Sequence, residues 1–303
     1  MNRRLVTREK ADLTLADLAS GGLLTPEQSS EFFRQLIIQP TLLQLARVVP
    51  MSKPKREVNK IGFGARVLHA APAQVVGTYL AVGSRTAPTM GKVTLDAKEK
   101  IAELHLPYDV LEDNIEGKSM ADTCVAMLAE AVSRDIEESG LLGDTASGDA
   151  DLAVHDGVLK LTTSNVVNAG GAPISSDIFK RCIKAMPDQF LRNRNAMRFL
   201  VSVDNETEYR DTQAQRATAL GDQMLTGTSP AFAYGVPVDG ASMMPAANAI
   251  FTNPKNVLFG FHREVSMEFD KDIRARVWIV VLTLRMDVKI EEEIAVVKVT
   301  NLG

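Results

Sequence analysis

The chain has 303 residues and a mass of 32.9 kDa, and its 45% hydrophobic and 24% charged residues are close to the average for globular domains. These proportions exclude a disordered chain, a collagen-like chain and a disulfide-rich scaffold. The formal net charge of -4 at pH 7 excludes a strongly basic reader of nucleic-acid sequence. Any contact with nucleic acid should therefore be local or non-specific.

The first 55 residues predict an N-terminal arm. Thr25, Pro26 and Gln28 have the spacing of a helix N-cap with proline in the first turn, and the helix would continue through Phe32, Phe33 and Leu36. A single short helix cannot bury these apolar side chains by itself. We therefore expect the arm to lie against another surface. The basic start MNRRLVTREK has no apolar segment behind it, which predicts neither export nor membrane insertion and favours a cytoplasmic protein.

Residues 56–107 predict an extended two-stranded loop. Apolar residues alternate with polar ones or glycine over 61–67 and again over 92–98, which is the period of a strand with one polar face. The tip between them is rich in Gly, Ala, Pro and Thr. An isolated hairpin is marginal in water. We expect an adjacent subunit to bury Val76, Leu80 and Val82 and to supply partners for Arg85 and Lys92.

The clearest helical pattern runs over 115–139, where Met120, Cys124, Leu128, Val132 and Ile136 recur every four residues. Gly140 is predicted to end this helix. Its apolar face should contact the strand predicted over 273–288, and another strand is predicted over 294–299. A further helix should begin at 175–177.

No catalytic, cofactor-binding or metal-binding residue is predicted. None of the histidines, His69, His105, His155 and His262, has another His or a Cys at metal-ligand spacing. The acidic segment 144–157 does not have the spacing of a calcium loop. The two cysteines, at 124 and 182, are predicted to be buried free thiols, and Glu291–Glu293 an exposed turn.

Two readings of the basic residues Lys53, Lys55 and Arg56 stay open. They form either a solvated hinge or a contact for a polyanion.

The order of these segments resembles the major capsid proteins of tailed bacteriophages, the Hong Kong 97-type fold. The segments that carry the resemblance are, in chain order, KIGFGARVLHAA to KVTLDAKEK, YDVLEDNIEG, AEAVSRDIEESGLLGD, DTASGDADLAVHDGVLK, FLVSVDNETEYRD, YGVPVDGASMMP and NPKNVLFGFHREVSMEFDKD. The likeness extends from about Val58 to Leu302.

The resemblance implies an α+β subunit with an N-terminal arm, an extended β-hairpin loop, a long "spine" helix, and peripheral and axial domains. The implied ranges are 1–55 for the arm, 56–107 for the loop, 108–176 with 251–303 for the peripheral domain, and 177–250 for the axial domain. The spine helix would occupy 115–139.

The implied function is self-assembly into the icosahedral shell that encloses the double-stranded DNA of a phage, not catalysis. The implied partners are copies of the chain as hexamers and pentamers, a portal, a separate scaffolding or decoration protein, and non-specifically bound DNA, with no membrane. The shell would assemble in the host cytoplasm and reside in the virion. Two alternatives remain, an encapsulin nanocompartment shell with the same fold and a soluble α+β enzyme.

Overall fold

The computed structural model describes residues 41–62, 67–69, 85, 87–108, 119–215, 230–262 and 266–303. The described part is a mixed structure of helices and strands, so the predicted α+β class is confirmed. The α-helices are α1 (Thr41–Leu45), α2 (Ser119–Leu142), α3 (Val158–Leu161), α4 (Ser176–Ala185) and α5 (Val203–Ala214).

The strands are β1 (Arg47–Met51), β2 (Lys55–Gly62), β3 (Thr89–Asp96), β4 (Lys98–Pro107), β5 (Val166–Asn168), β6 (Arg198–Val201), β7 (Phe232–Ala233), β8 (Val236–Gly240), β9 (Ala249–Thr252), β10 (Val257–His262), β11 (Ser266–Asp272), β12 (Val277–Ile290) and β13 (Val296–Thr300). Short 3-10 helices span Leu191–Ala196, Pro254–Asn256 and Glu293–Ala295.

Strand β12 is the centre of a five-stranded sheet. It pairs antiparallel with β4 along one side and with β10 and then β11 along the other, and β1 adds to β10 in parallel. Its side chains alternate between buried and half-buried from Ile279 to Met286, as a strand with one covered face requires. Strand β12 therefore begins four residues after the start of the strand predicted over 273–288. Residues 273–276 instead form the turn from β11, in which Arg276 has a φ of 55°.

Helix α2 packs on the covered face of this sheet. Val132 and Ile136 are buried in the same apolar cluster as Val280, Leu282 and Leu284, while Leu128 is partly buried against it. The four-residue spacing thus identified the buried face over the part of α2 whose side chains are described. The predicted residues before Ser119 lie outside the described residues.

Gly140 does not end the helix, which corrects the sequence prediction. Helix α2 continues to Leu142, and the backbone N–H of Gly143 still donates to Ser139. A Cβ at position 140 would lie 2.8 Å from the Phe259 ring. The glycine allows β10 to approach the helix closely, so its role is in packing.

A six-stranded sheet has the order β5-β13-β9-β6-β8-β7. Its central strands are covered on both faces. Phe199, Phe251 and Val297 belong to a cluster with α4 and α5, whereas Leu200 and Ile250 belong to the cluster around α2. The two apolar clusters therefore meet across the middle of this sheet.

The C-terminal segment divides between the two larger sheets. Residues 257–290 contribute β10, β11 and β12 to the five-stranded sheet, but β13 pairs with β5 and β9 in the six-stranded sheet. The range 251–303 implied for the peripheral domain therefore contains strands of both sheets. Strand β13 lies in the six-stranded sheet because the chain returns to it after the turn at 291–295.

Strands β2 and β3 form a separate two-stranded hairpin. The alternating run predicted as one strand over 92–98 is interrupted at Ala97, whose N–H donates to the carbonyl oxygen of Pro54. There the chain leaves the hairpin and enters the five-stranded sheet as β4. The range 56–107 thus includes the hairpin strands and one strand of the main sheet, β4, which pairs with β12. Residues 63–66 of the predicted first strand lie outside the described residues.

Candidate subunit-contact surfaces

Most of the residues predicted to contact a neighbouring subunit lie outside the described residues. These are Phe32, Phe33 and Leu36 of the arm and Val76, Leu80 and Val82 of the loop tip. Arg85 and Lys92 are described. Arg85 is exposed, and the Nζ atom of Lys92 on β3 donates to the Oε1 atom of Glu57 on β2 at 2.8 Å. Lys92 therefore has a partner within its own hairpin.

Most of the described side chains of the β2–β3 hairpin are exposed. Its strands pair antiparallel from Lys55 opposite Asp96 to Gly62 opposite Thr89. Neither strand has a second neighbouring strand among the described residues, so within that part of the chain the outer edge of each strand lacks a strand partner. The side chain of Met90 is 75% exposed near the far end. Open edges and an exposed apolar residue are features that a second protein surface can cover.

The base of the hairpin is anchored by apolar packing. Leu95, Val49, Met51 and Leu258 are buried in one small cluster, and the cross-strand pair Val58 and Val93 packs partly against it. Leu95 is fully buried, and Val93, two residues further out on the same face of β3, is only partly buried. Burial therefore decreases along β3 with distance from the sheet.

A buried carboxylate also holds the base. The backbone N–H of Asp96 donates to Oδ2 of Asp287 at 2.7 Å, and Asp287 is 2% exposed. Burial raises the pKa of Asp287, although the bonded N–H groups and Lys289 act in the opposite direction. At the end of β3, the side-chain hydrogen bond from Lys98 lowers the pKa of Asp96. The junction between hairpin and sheet thus contains one buried and one solvated carboxyl group.

The Glu291–Glu293 turn is engaged on three sides, which corrects its interpretation as an exposed turn. Glu291 pairs with Arg47 of β1 at 3.0 Å, and Glu292 pairs with Lys60 of the hairpin at 2.9 Å. The Oε1 atom of Glu293 accepts bonds from Thr163 and from the N–H of Ser164.

Three consecutive glutamates in a turn do not indicate, from the sequence, which distant residues they contact. The partners come from three other segments of the chain, so the contacts became visible only in the folded structure. Hydrogen bonding, first from the Ser164 side chain, lowers the pKa of Glu293 to about 2.

Helix α1 is fixed to α2 by a second buried carboxylate. The N–H of Leu42 donates to Oε1 of Glu137 at 2.8 Å, and Glu137 is 1% exposed. Burial raises the pKa of Glu137. Leu42 and Leu43 are fully buried in the main cluster. The first described residues are therefore part of the core and not of a loose segment.

Further apolar residues are exposed at the two ends of the six-stranded sheet. Val166 on the edge strand β5 is 47% exposed. At the opposite edge, Phe232 on β7 is 48% exposed and Tyr234, which follows it in the turn to β8, is 52% exposed. These residues extend the set of candidate contact surfaces beyond the hairpin, and no pattern in the sequence indicated them.

The histidines are not grouped. His155 is buried with Nε2 3.4 Å from Oγ of Ser139, and burial followed by the charges of Lys100 and Lys289 lowers its pKa to about 4. His105 is exposed and contacts Glu103 on the same strand. Within the described ranges, no group of three or more His, Cys, Asp or Glu side chains could hold a metal ion.

The acidic loop and the described cysteine make local contacts. Asp156 accepts hydrogen bonds from the N–H and hydroxyl of Thr145, and these bonds, chiefly the one from the backbone N–H, lower its pKa. Cys182 is a buried free thiol, as predicted, and burial raises its pKa to about 12. No helix in the described part of the chain is long and apolar enough to cross a membrane.

Comparison with known proteins gives one full-length relative and a set of similar folds. The chain is 40% identical over 305 residues to YqbE of Bacillus subtilis (strain 168), which is assigned as a prophage capsid protein, and the match covers 97% of each chain. No family model matches.

Among solved structures, the fold is similar to a chain of the satellite phage P4 procapsid that includes the size determination protein. The TM-score is 0.65 at 12% identity, with 95% of both chains covered. It is also similar to the SrpI encapsulin of Synechococcus elongatus PCC 7942, with a TM-score of 0.56 at 11% identity and 88% of both chains covered.

Proposed function

Because this chain belongs to the phage capsid protein family, we propose that copies of it assemble into a closed icosahedral shell around the double-stranded DNA of a tailed phage. The observation that supports assembly most directly is the β2–β3 hairpin. It has two open edges and an exposed Met90, while its base is built into the core. A neighbouring subunit supplies what the hairpin lacks, namely apolar burial and partners for its backbone groups.

We propose that the two large sheets correspond to the peripheral and axial domains of the Hong Kong 97-type fold. The five-stranded sheet with α2 would be the peripheral domain, and the six-stranded sheet with α4 and α5 the axial domain. In this assignment β4 moves from the loop range to the peripheral domain, and β13 moves to the axial domain. The extended loop then consists of β2, β3 and the residues between them.

The proposed partners are copies of the chain arranged as hexamers and pentamers. Phe32, Phe33, Leu36, Val76, Leu80 and Val82 are proposed to be buried by an adjacent subunit, with Arg85 and Lys92 at the polar margin of that contact. A portal, a scaffolding or decoration protein and packaged DNA are proposed as further partners. Contact with DNA would be non-specific because the chain has no excess of Lys and Arg. We propose a structural role for every residue and no turnover chemistry, with assembly in the host cytoplasm.

Size measurement and electron microscopy of the purified full-length protein test this function. Capsomers or megadalton shells are expected, and a persistent monomer of 32.9 kDa under native conditions would contradict the proposal. Removing residues 1–40 should reduce assembly or change particle diameter, because the arm carries the predicted contact residues. Unchanged particle yield and diameter would contradict a role for the arm.

A deletion of residues 78–90 tests the loop. The subunit should fold, as judged by its melting temperature, but should not form closed shells. A matched control replaces the same residues with a Gly/Ser linker of equal length, which keeps the reach of the loop and removes its side chains. Closed shells from the deletion variant would contradict the role of the loop. Closed shells from the linker variant but not from the deletion variant would show that the length of the loop, and not its side chains, is required.

An encapsulin shell is the second candidate function, and it is supported by the similarity of the fold to SrpI. The contents of particles isolated from the native source separate the two. Double-stranded DNA supports the phage capsid, and a protein cargo without DNA supports the nanocompartment.

A further inference from the structure

The two helices on one face of the six-stranded sheet carry opposite charge. Helix α4 has three basic residues, Lys180, Arg181 and Lys184, all exposed, against the single carboxylate of Asp177. Helix α5 has four carboxylates against the single Arg210. Three of those carboxylates are exposed, and they are Asp204, Glu208 and Asp211. Their spacing of four and three residues places them on one side of the helix.

These helices lie toward opposite ends of the sheet. Helix α4 contacts β5 and β13, whereas α5 contacts β8, and the strands β9 and β6 lie between. Both cover the same face, because the ring of Phe179 on α4 lies 4.5 Å from Phe199 of β6 and 4.9 Å from Tyr209 of α5. The domain is thus basic at the β5 end of its helical layer and acidic along α5 at the β8 end.

Among the described residues, most of these exposed charges have no counter-charge. Lys180, Lys184, Asp204 and Glu208 form no salt bridge with any described residue. In contrast, Glu206 and Arg210 of α5 pair with each other at 2.7 Å. The remaining two members of the patches make neutral contacts, Arg181 with the Asn168 carbonyl and Asp211 with the Gln215 amide.

Exposed apolar residues accompany the charge at each end. Val166 lies on β5 beside α4, and Phe232 and Tyr234 lie at the β7 edge beyond β8. Each end of the sheet therefore combines an apolar margin with an adjacent charged helix, which is the composition of a protein contact. The arginines of the Leu191–Ala196 helix, Arg192 and Arg194, are exposed near the start of β8 and stand outside both patches.

We propose that, within a capsomer, the basic α4 patch (Lys180, Arg181, Lys184) of one copy contacts the acidic α5 patch (Asp204, Glu208, Asp211) of the next copy. This inference rests on the proposed function, since it assigns a contact within the assembled shell. Contact between two different patches of the chain is heterologous, and its repetition gives a ring when the rotation between successive copies closes. Opposite charges favour the head-to-tail order and disfavour the head-to-head encounter.

Charge reversal tests the contact. The variant K180E/K184E makes both patches acidic, and D204K/E208K makes both basic, so each should lose at least about tenfold in particle yield from like-charge repulsion. The combined four-site variant restores opposite charges with their places exchanged, and its yield should return to that of the wild type. All substituted positions are exposed, and the melting temperature of each purified subunit reports that it is folded.

Mixing the two double variants gives a sharper result. Unlike subunits attract and like subunits repel, so the two variants must alternate around a ring. Alternation is possible in a ring of six and impossible in a ring of five, where two like subunits must meet. The mixture should therefore form hexamers or open tubes and sheets, but few closed shells, whereas the four-site variant should form closed shells.

The control is R192E/R194E, which changes the net charge by the same amount as K180E/K184E at exposed positions outside both patches. It should assemble like the wild type. Wild-type yield from either double variant, or loss of assembly in the folded four-site variant, would overturn the proposed contact, as would equal loss in the control. These outcomes are distinct from a failure of the proposed function, in which the wild-type chain itself would form no particles.

Discussion

The five-stranded sheet and the β2–β3 hairpin are both β-structure, but they are stabilised in different ways. In the sheet, β12 has a strand on each side and α2 on one face, and Val280, Leu282 and Leu284 are buried. In the hairpin, each strand has one partner, and Met90 is 75% exposed. Side-chain burial stabilises the sheet within one subunit. The hairpin depends on its base and on whatever covers its edges.

This difference separates folding from assembly. A substitution in the sheet should change the free energy of unfolding of the isolated subunit, because the lost contacts lie within it. A substitution along the outer hairpin should leave that free energy nearly unchanged and act on particle formation. Measurements on both levels can therefore establish whether the two regions have separate roles.

The largest expected effect is in the core between helix and sheet. Ile136→Ala should lower the free energy of unfolding by about 2 to 5 kcal/mol, since a side chain that is 2% exposed loses its contacts and leaves a cavity. Denaturant unfolding of the subunit measures this. Ile101→Ala on β4 is the matched control, because Ile101 is 63% exposed and should change the value by less than about 1 kcal/mol. Similar losses in the free energy of unfolding for both variants would contradict the expectation that the buried residue contributes more to stability than the exposed one.

A pH dependence should come from the same core. His155 has a pKa of about 4 in the fold instead of 6.5, so between these values the unfolded chain binds more protons than the folded one. Its contribution is therefore fully present above pH 6.5 and falls by about 3 kcal/mol as the pH decreases toward 4. Lys100 and Lys289 increase the effect, and Asp156 opposes it.

Unfolding of wild type and His155→Gln from pH 7 to pH 4 checks the assignment. The variant should show a smaller decrease on acidification. His105→Gln, at an exposed position, is the control and should follow the wild type. Parallel curves for His155→Gln and wild type would show that the acid sensitivity has another origin.

A smaller effect is expected at the turn between β12 and β13. The pKa of Glu293 is lowered to about 2, so its stabilisation is present above about pH 4.5 and is lost as the pH falls toward 2. Glu293→Gln should cost about 1 kcal/mol at pH 7, because solvent screening reduces the value of a partly exposed group. Thermal unfolding at pH 7 and pH 3 measures it, and the difference between variant and wild type should shrink at the lower pH.

The smallest effect on the subunit is expected in the hairpin itself. Lys92→Ala removes an exposed pair with Glu57 and should change the free energy of unfolding by less than about 1 kcal/mol. If Lys92 also lies at the margin of a subunit contact, particle yield should fall more than subunit stability. Glu57→Ala breaks the same intrasubunit pair and serves as the control. Equal effects of both variants on assembly would assign the role to the pair and not to Lys92.

The apolar patterns were sufficient to predict several of the main elements. A four-residue period identified the buried face of α2 at Val132 and Ile136, and the alternation over 92–98 overlaps most of β3. The run predicted over 61–67 overlaps β2 only at the end of that strand. These features are local, because a helix or a half-buried strand imposes its own period on the residues that must be apolar. The mixed fold class and the resemblance to phage capsid proteins followed from the order of such segments and are confirmed.

Tertiary structure alone decided how these elements meet. The sequence does not show that Gly140 admits Phe259 of β10, that Asp287 binds the N–H of Asp96, or that β13 joins the second sheet. Each depends on residues far apart in the chain, and a glycine, a carboxylate or a short apolar strand has many possible partners of similar energy. The charges of α4 and α5 were equally visible in the sequence. The positions of the two helices toward opposite ends of one sheet were not visible in the sequence, because strand order is set by pairing across the whole fold.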